Sequence, residues 1–228
     1  MKNKLFRALL AVAVMLVWAG ISAMPSWASD LVYVQPTDDA GSYASQNDTS
    51  TFGNFATAYD NFTLASNTDI THVEWDGSYF GGTGTITGFT VDFYADNGGT
   101  PGALIASSGD VAGNADQSYL GTDASGDPTY SYVLLTGFNA TAGTQYWLSI
   151  TPDLSFPPQW GWETGTGGDG SSYQCFFGSC GSTPNDLAFA LGVPEPGSGY
   201  LLPSGLVFLA FMFRKNLRSR FARSEYLG

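Results

Sequence analysis

Between residues 30 and 193 the chain contains no lysine and no arginine. The same stretch holds eighteen of the twenty Asp and Glu residues and the only histidine, His72, so its formal charge is −18. A fold built from it can form no Lys or Arg ion pair. Its stability must come from apolar burial, backbone pairing and bound cations. Phosphate recognition needs cationic side chains, which argues against nucleic acid and anionic polymers as direct partners. A neutral glycan, a divalent cation or a protein surface stays open. The negative charge also favours solubility.

The eight bases lie at the two ends. Lys2, Lys4 and Arg7 precede an apolar run, Ala8 to Ile21, and small residues follow at Ser26 and Ala28. That order is the layout of a secretory signal, with cleavage expected between Ala28 and Ser29. Residues 1–28 are therefore read as a signal peptide. Near the other end, Tyr200 to Phe213 is a run of fourteen mostly apolar residues. As a helix it reaches ~21 Å, against a bilayer core of about 30 Å. Arg214, Lys215, Arg218, Arg220 and Arg223 follow at once, and such a cluster holds a tail on the cytoplasmic side. A single hydrophobic helix over 200–213 with a basic tail over 214–223 is expected.

The middle, 29–191, has the length of one domain with a single core. Its two cysteines, Cys175 and Cys180, stand in CFFGSC. In an oxidising compartment they can close a small disulfide loop, worth roughly 2 kcal/mol in the chain-entropy picture. Two thiols and one distant histidine fall short of a zinc set.

The middle also alternates with period two. FTVDFY puts Phe89, Val91 and Phe93 on one face; QYWLSI does so with Tyr146, Leu148 and Ile150; DLAFALG with Leu187, Phe189 and Leu191; ITHVEWDG with Val73 and Trp75. Gly, Asp, Asn and Ser clusters separate these runs, which is the strand signal. Strands are expected near 31–35, 57–64, 69–76, 86–95, 103–107, 130–138, 144–151, 158–163, 172–177 and 186–192. No helical period is sustained. The expected fold is all-β, a jelly-roll-like β-sandwich, with an immunoglobulin-like sandwich as the second choice.

Candidate chemistry is sparse. A Ser-His-Asp triad would have to use His72, and no G-x-S-x-G elbow is present. Glu74 and Glu163 are the only glutamates between residues 30 and 193, and each adjoins a tryptophan. Two carboxylates about 5 to 10 Å apart across a sugar would make a glycosidase; solvated strand residues are the simpler reading. Asp92, Asp96, Asn97 and Asp110 could offer oxygen ligands to Ca²⁺. So could Asp123, Ser125 and Asp127, which are spaced like the start of an EF-hand loop, although Pro128 stands where that loop needs glycine. Trp160 and Trp162 share one face in QWGWE and are candidate glycan contacts, with Tyr79, Tyr94 and Trp147 as further aromatics.

Val193-Pro194-Glu195-Pro196, the apolar run and the arginines behind it resemble the PEP-CTERM sorting signal of Gram-negative bacteria, over residues 192–228. The resemblance implies recognition by an exosortase, removal of the tail near the Pro-Glu-Pro, transient residence in the inner membrane, and delivery to the cell surface or extracellular polysaccharide. FYADNGGTPGALIASSG and NDLAFALG are similar to the β-sandwich ectodomains that carry such tails. The function expected from this is a non-catalytic surface or matrix protein touching neutral exopolysaccharide. A secreted glycosidase using Glu74 and Glu163 is the alternative. Mass spectrometry of the mature protein should find no peptide containing Arg214; a mature chain that keeps it contradicts the processing.

Overall fold

The computed structural model describes residues 30–193. The signal peptide with its Ala28–Ser29 cleavage point, Pro194, Glu195 and Pro196, the helix over 200–213 and the basic tail lie outside the described residues.

All regular structure among the described residues is β. In chain order the strands are β1 (Asp30–Gln35), β2 (Thr37–Ala44), β3 (Gln46–Asp48) and β4 (Gly53–Thr63). Then come β5 (Thr68–Phe80), β6 (Gly88–Asp96), β7 (Pro101–Ser107) and β8 (Val111–Ala112). They are followed by β9 (Ser118–Thr122), β10 (Pro128–Ala140), β11 (Gln145–Leu154) and β12 (Gln159–Gly165). The last are β13 (Ser171–Phe176), β14 (Ser179–Pro184), β15 (Asp186–Leu187) and β16 (Phe189–Val193).

They form two eight-stranded sheets. In the first, β1, β16, β5, β10 and β9 run side by side, and β12 joins β5 to β2 and β15. In the second the order is β14, β13, β4, β3, β11, β6 and β7, with β8 on β6 and a direct β4–β11 pairing. Almost every pairing is antiparallel; β3 and β11 run parallel over Asn47–Asp48 and Asp153–Leu154.

The sheets pack face to face as a β-sandwich around one core. The residues predicted to share inner faces do so. Phe93 pairs with Leu148 and Val91 with Ile150 across β6 and β11, and all four are fully buried. Aromatic rings bridge the sheets: Trp75 meets Phe89 at 5.0 Å, Phe89 meets Trp160 at 5.8 Å, and Phe93 stacks on Phe138 at 4.4 Å. Such pairs add to the area they bury. Gly77 is needed for this packing. A Cβ there would stand 2.0 Å from Trp160 Cζ2, so no other residue could seat that indole.

The disulfide expected from CFFGSC is present, joining Cys175 and Cys180. The two are cross-strand neighbours in the β13–β14 hairpin. Its two-residue turn, Phe177-Gly178, has positive φ at both positions, 46° and 79°, as a type I′ turn requires.

Phe62 is 1% exposed and touches the rings of Tyr33, Phe93, Phe138, Tyr146 and Phe189. Phe62→Ala should cost about 3–5 kcal/mol in denaturant unfolding. Leu135→Ala, at a side chain 60% exposed, should stay within about 0.5 kcal/mol of the parent. Equal effects would mean that the core is not where it is drawn.

Candidate functional site

The sequence candidates scatter. Trp160 and Trp162 share a face, but it is the inner one: both are 0% exposed. Their indole N–H groups are consumed there, Trp160 donating to Tyr132 Oη at 3.1 Å and Trp162 to the Ala188 carbonyl at 2.8 Å. They offer no stacking surface to a glycan. Tyr79 is core as well, and Trp147 is 2% exposed with its indole donating to Asp96.

The calcium set over Asp92, Asp96, Asn97 and Asp110 is not assembled. Asp96 and Asn97 sit in the turn after β6, where Asp96 accepts from the Gly98 and Gly99 amides and from Trp147. Asp110 lies against Gly88 at the opposite end of that strand. Asp123 is likewise engaged, accepting from the amides of Ser125 and Asp127 at 2.9 Å through Oδ1. It closes its own loop rather than presenting an EF-hand ligand series with its neighbours. Among the described residues, no three His, Cys, Asp or Glu side chains are grouped so that they could hold a metal ion as they stand.

His72 and Glu74 lie on the outer face of the first sheet, 3.6 Å apart. The imidazole is buried over Gly192, where a Cβ would stand 1.8 Å from the ring. Glu163 occupies the same outer face but is 0% exposed, while the Glu74 side chain is 40% exposed. Pairing explains the contrast: Glu163 is hemmed in by Ser42 of β2, on a strand that the sequence did not announce.

A cleft of about 610 Å³ opens beside β10, with His72, Glu74, Asp76 and Asp116 on its polar walls. A smaller groove of about 190 Å³ crosses the outer face of the second sheet. The smaller one has the better recognition chemistry, because it presents partly buried tyrosine rings beside hydroxyls, amides and carboxylates. Neighbouring strands build it. Ser149 pairs with Tyr59 on one side and Asp92 on the other, and Tyr173 pairs with Tyr59. Tyr59 and Tyr94 meet edge to face at 5.4 Å. Asn47 donates to Asp153 at 2.7 Å at the groove's far end.

Asp92 carries the unpaired polar atom of this groove. Its Oδ2 accepts from Tyr94 Oη at 3.2 Å, and its Oδ1 is buried with no hydrogen-bond partner. A buried acceptor without a donor is costly unless something donates to it. Burial, with the Asp92 charge beside them, holds the Tyr59 and Tyr94 hydroxyls above their ordinary pKa. Both therefore stay protonated and can donate. The groove has acceptors, donors and ring faces, but no base. Sequence reasoning singled out Tyr94 and Asp92 separately, for other roles. Tyr59, Ser149 and Asn47 became neighbours only through pairing between distant strands.

At the hairpin end, Phe52, Phe156, Phe176 and Phe177 are each at least 41% exposed. Phe52 meets Phe156 and Phe177 edge to face. No protein-family model matches this chain, and no characterised protein is significantly similar to it in sequence.

Proposed function

We propose that the chain is an exported, non-catalytic protein of the cell surface or extracellular polysaccharide of a Gram-negative bacterium. Its sandwich is a jelly roll that takes neutral glycan on the outer face of the second sheet. An exosortase recognises Val193, Pro194, Glu195 and Pro196, and cuts there. Arg214, Lys215, Arg218 and Arg220 hold the precursor in the inner membrane until then.

The observation that carries the glycan reading is the Asp92–Tyr94–Tyr59 constellation, an unpartnered buried acceptor beside two tyrosines. Sugar hydroxyls are donors and acceptors at once, and tyrosine rings stack on their C–H faces while keeping a polar tip. The absence of lysine and arginine between residues 30 and 193 favours an uncharged polymer over an anionic one. The groove is smaller than the pockets of about 300–1,000 Å³ that enclose drug-sized ligands, so it suits one side of an extended chain. Hydrolysis by Glu74 and Glu163 is less favoured, since a substrate would have to reach a carboxylate that has no exposed surface.

The full-length chain should bind neutral exopolysaccharide prepared from its own host without shortening it. Tyr94→Ala and Asp92→Asn should each weaken binding about tenfold, the effect of losing ~1.4 kcal/mol. Unchanged affinity in both variants would remove the groove from the account, and release of reducing ends would restore the enzyme reading.

A further inference from the structure

Among the described residues, a second buried and unpaired polar group lies on the other outer face. Glu163 is 0% exposed, and neither of its carboxylate oxygens has a hydrogen-bond partner. Nearby, Asp123 is 6% exposed and its Oδ2 is also buried and unpartnered. Two ionisable groups in this condition are costly to bury unless something cationic compensates them. No lysine or arginine between residues 30 and 193 is there to do so, and the one histidine of that stretch, His72, sits against Glu74 instead.

The architecture gathers further oxygens around Glu163. β12 pairs with β5 as far as Trp162 and Gly77. There the two strands part. Ala188 fills the fork, its carbonyl accepting from the Asp76 amide at 3.4 Å and its amide donating to the Glu163 carbonyl at 2.8 Å. Asp76 and Glu163 thus flank a single small residue. From the far side the β9–β10 loop reaches across the sheet to β2, where the Ala124 amide donates to the Asp39 carbonyl at 2.8 Å. That contact brings Asp123 over the fork and sets Asp39 beside it. Asp123, Asp76 and Asp39 all act electrostatically on Glu163. Ser78 is the one neighbour that favours its charged form, and that hydroxyl is itself paired with Ser42 at 2.8 Å.

We propose that the fork between β5 and β12, closed over by the β9–β10 loop, is a divalent cation site for Ca²⁺, with Glu163 and the free Oδ2 of Asp123 as its anionic ligands. Oxygen-only donors suit Ca²⁺, which takes six to eight of them from carboxylates, backbone carbonyls and water with tolerant geometry. Among the described residues, no three His, Cys, Asp or Glu side chains are placed to hold a metal ion as they stand. Binding therefore requires Glu163 and Asp123 to move inward, with Asp76, Asp39, carbonyls and water completing the shell. Imidazole and thiolate are missing, which disfavours zinc and other softer metals. Asp123 has two tasks: Oδ1 organises the loop and Oδ2 faces the ion. Binding would lock that loop onto β2 and staple β9–β10 to the opposite edge of the sheet.

The test is thermal unfolding of the full-length chain at pH 8 with EDTA, with about 1 mM Mg²⁺ and with about 1 mM Ca²⁺. Calcium should raise Tm by on the order of 5 °C, and magnesium by much less. Glu163→Gln removes the buried charge, so in EDTA its Tm should equal or exceed that of the parent. It should lose most of the calcium shift, and Asp123→Asn should lose it too. Asp92→Asn, on the other sheet, should keep the full shift. No calcium shift in the parent overturns the proposal, and so does an undiminished shift in Glu163→Gln. The second variant guards against misfolding: if Asp123→Asn unravels its loop, Glu163→Gln alone still decides.

Discussion

The structure depends on how carboxylates are satisfied in a chain segment that has no basic side chain. Backbone amides take the place that lysine and arginine fill elsewhere. Asp48 accepts from the amides of Ser50, Thr51, Phe52 and Phe156 and from the Ser50 hydroxyl. One side chain thereby fastens the β3–β4 turn to the start of the β11–β12 connection. Asp186 accepts from the amides of Gly168 and Gly170, and Asp96 holds its own turn. Asp60 sits between the sheets, accepting from Gln35 Nε2 and the Leu187 amide. These bonds are directional and local, so each fixes a loop rather than merely neutralising a charge.

With the loops fixed in this way, the sandwich has two different outer faces. The second sheet presents tyrosines, threonines and amides around Asp92, an open polar groove. The first sheet, with β2 as one of its strands, is partly roofed by the β9–β10 loop, and it buries carboxylates beneath. Under the proposed reading, ligand contact falls to one side of the core and the buried carboxylates to the other.

The period-two alternation made most of the core legible in advance. Phe89, Val91, Phe93, Leu148, Ile150, Val73, Trp75, Leu187, Phe189 and Leu191 lie where their spacing placed them. The strands that went unread were those without an apolar face. TDDAGSYA in β2 and SCGSTP in β14 carry no alternating apolar face and are held by backbone pairing and polar or disulfide contacts, and SYLGT in β9 is an exposed edge, so alternation had nothing to report. Those omissions explain the misplaced sites. Trp160 and Trp162 were correctly put on one face, but spacing alone does not say which face meets the core. Glu163 resembled a solvated residue because the β9–β10 loop, which crosses to β2 on that outer face, was not legible from spacing. The calcium set over Asp92, Asp96, Asn97 and Asp110 was misjudged because closeness in sequence along a strand separates side chains by 3.2–3.4 Å per residue.

Stability against pH is the most direct test of a fold whose carboxylates lack cationic partners. Burial raises Asp60 to about 8, Glu163 to about 7 and Asp76 to about 6. For each, the folded state holds a proton that the unfolded state releases near pH 4, so their contribution is lost as pH rises through those values. Asp48 acts oppositely. Burial alone would raise it, but its hydrogen bonds hold it well below the ordinary carboxylate range, so its contribution is lost in strong acid. The measurement is Tm in EDTA from about pH 3 to 9. A maximum near pH 5 with a steady fall toward pH 8 is the predicted result. A Tm that rises from pH 5 to 8 would contradict the account.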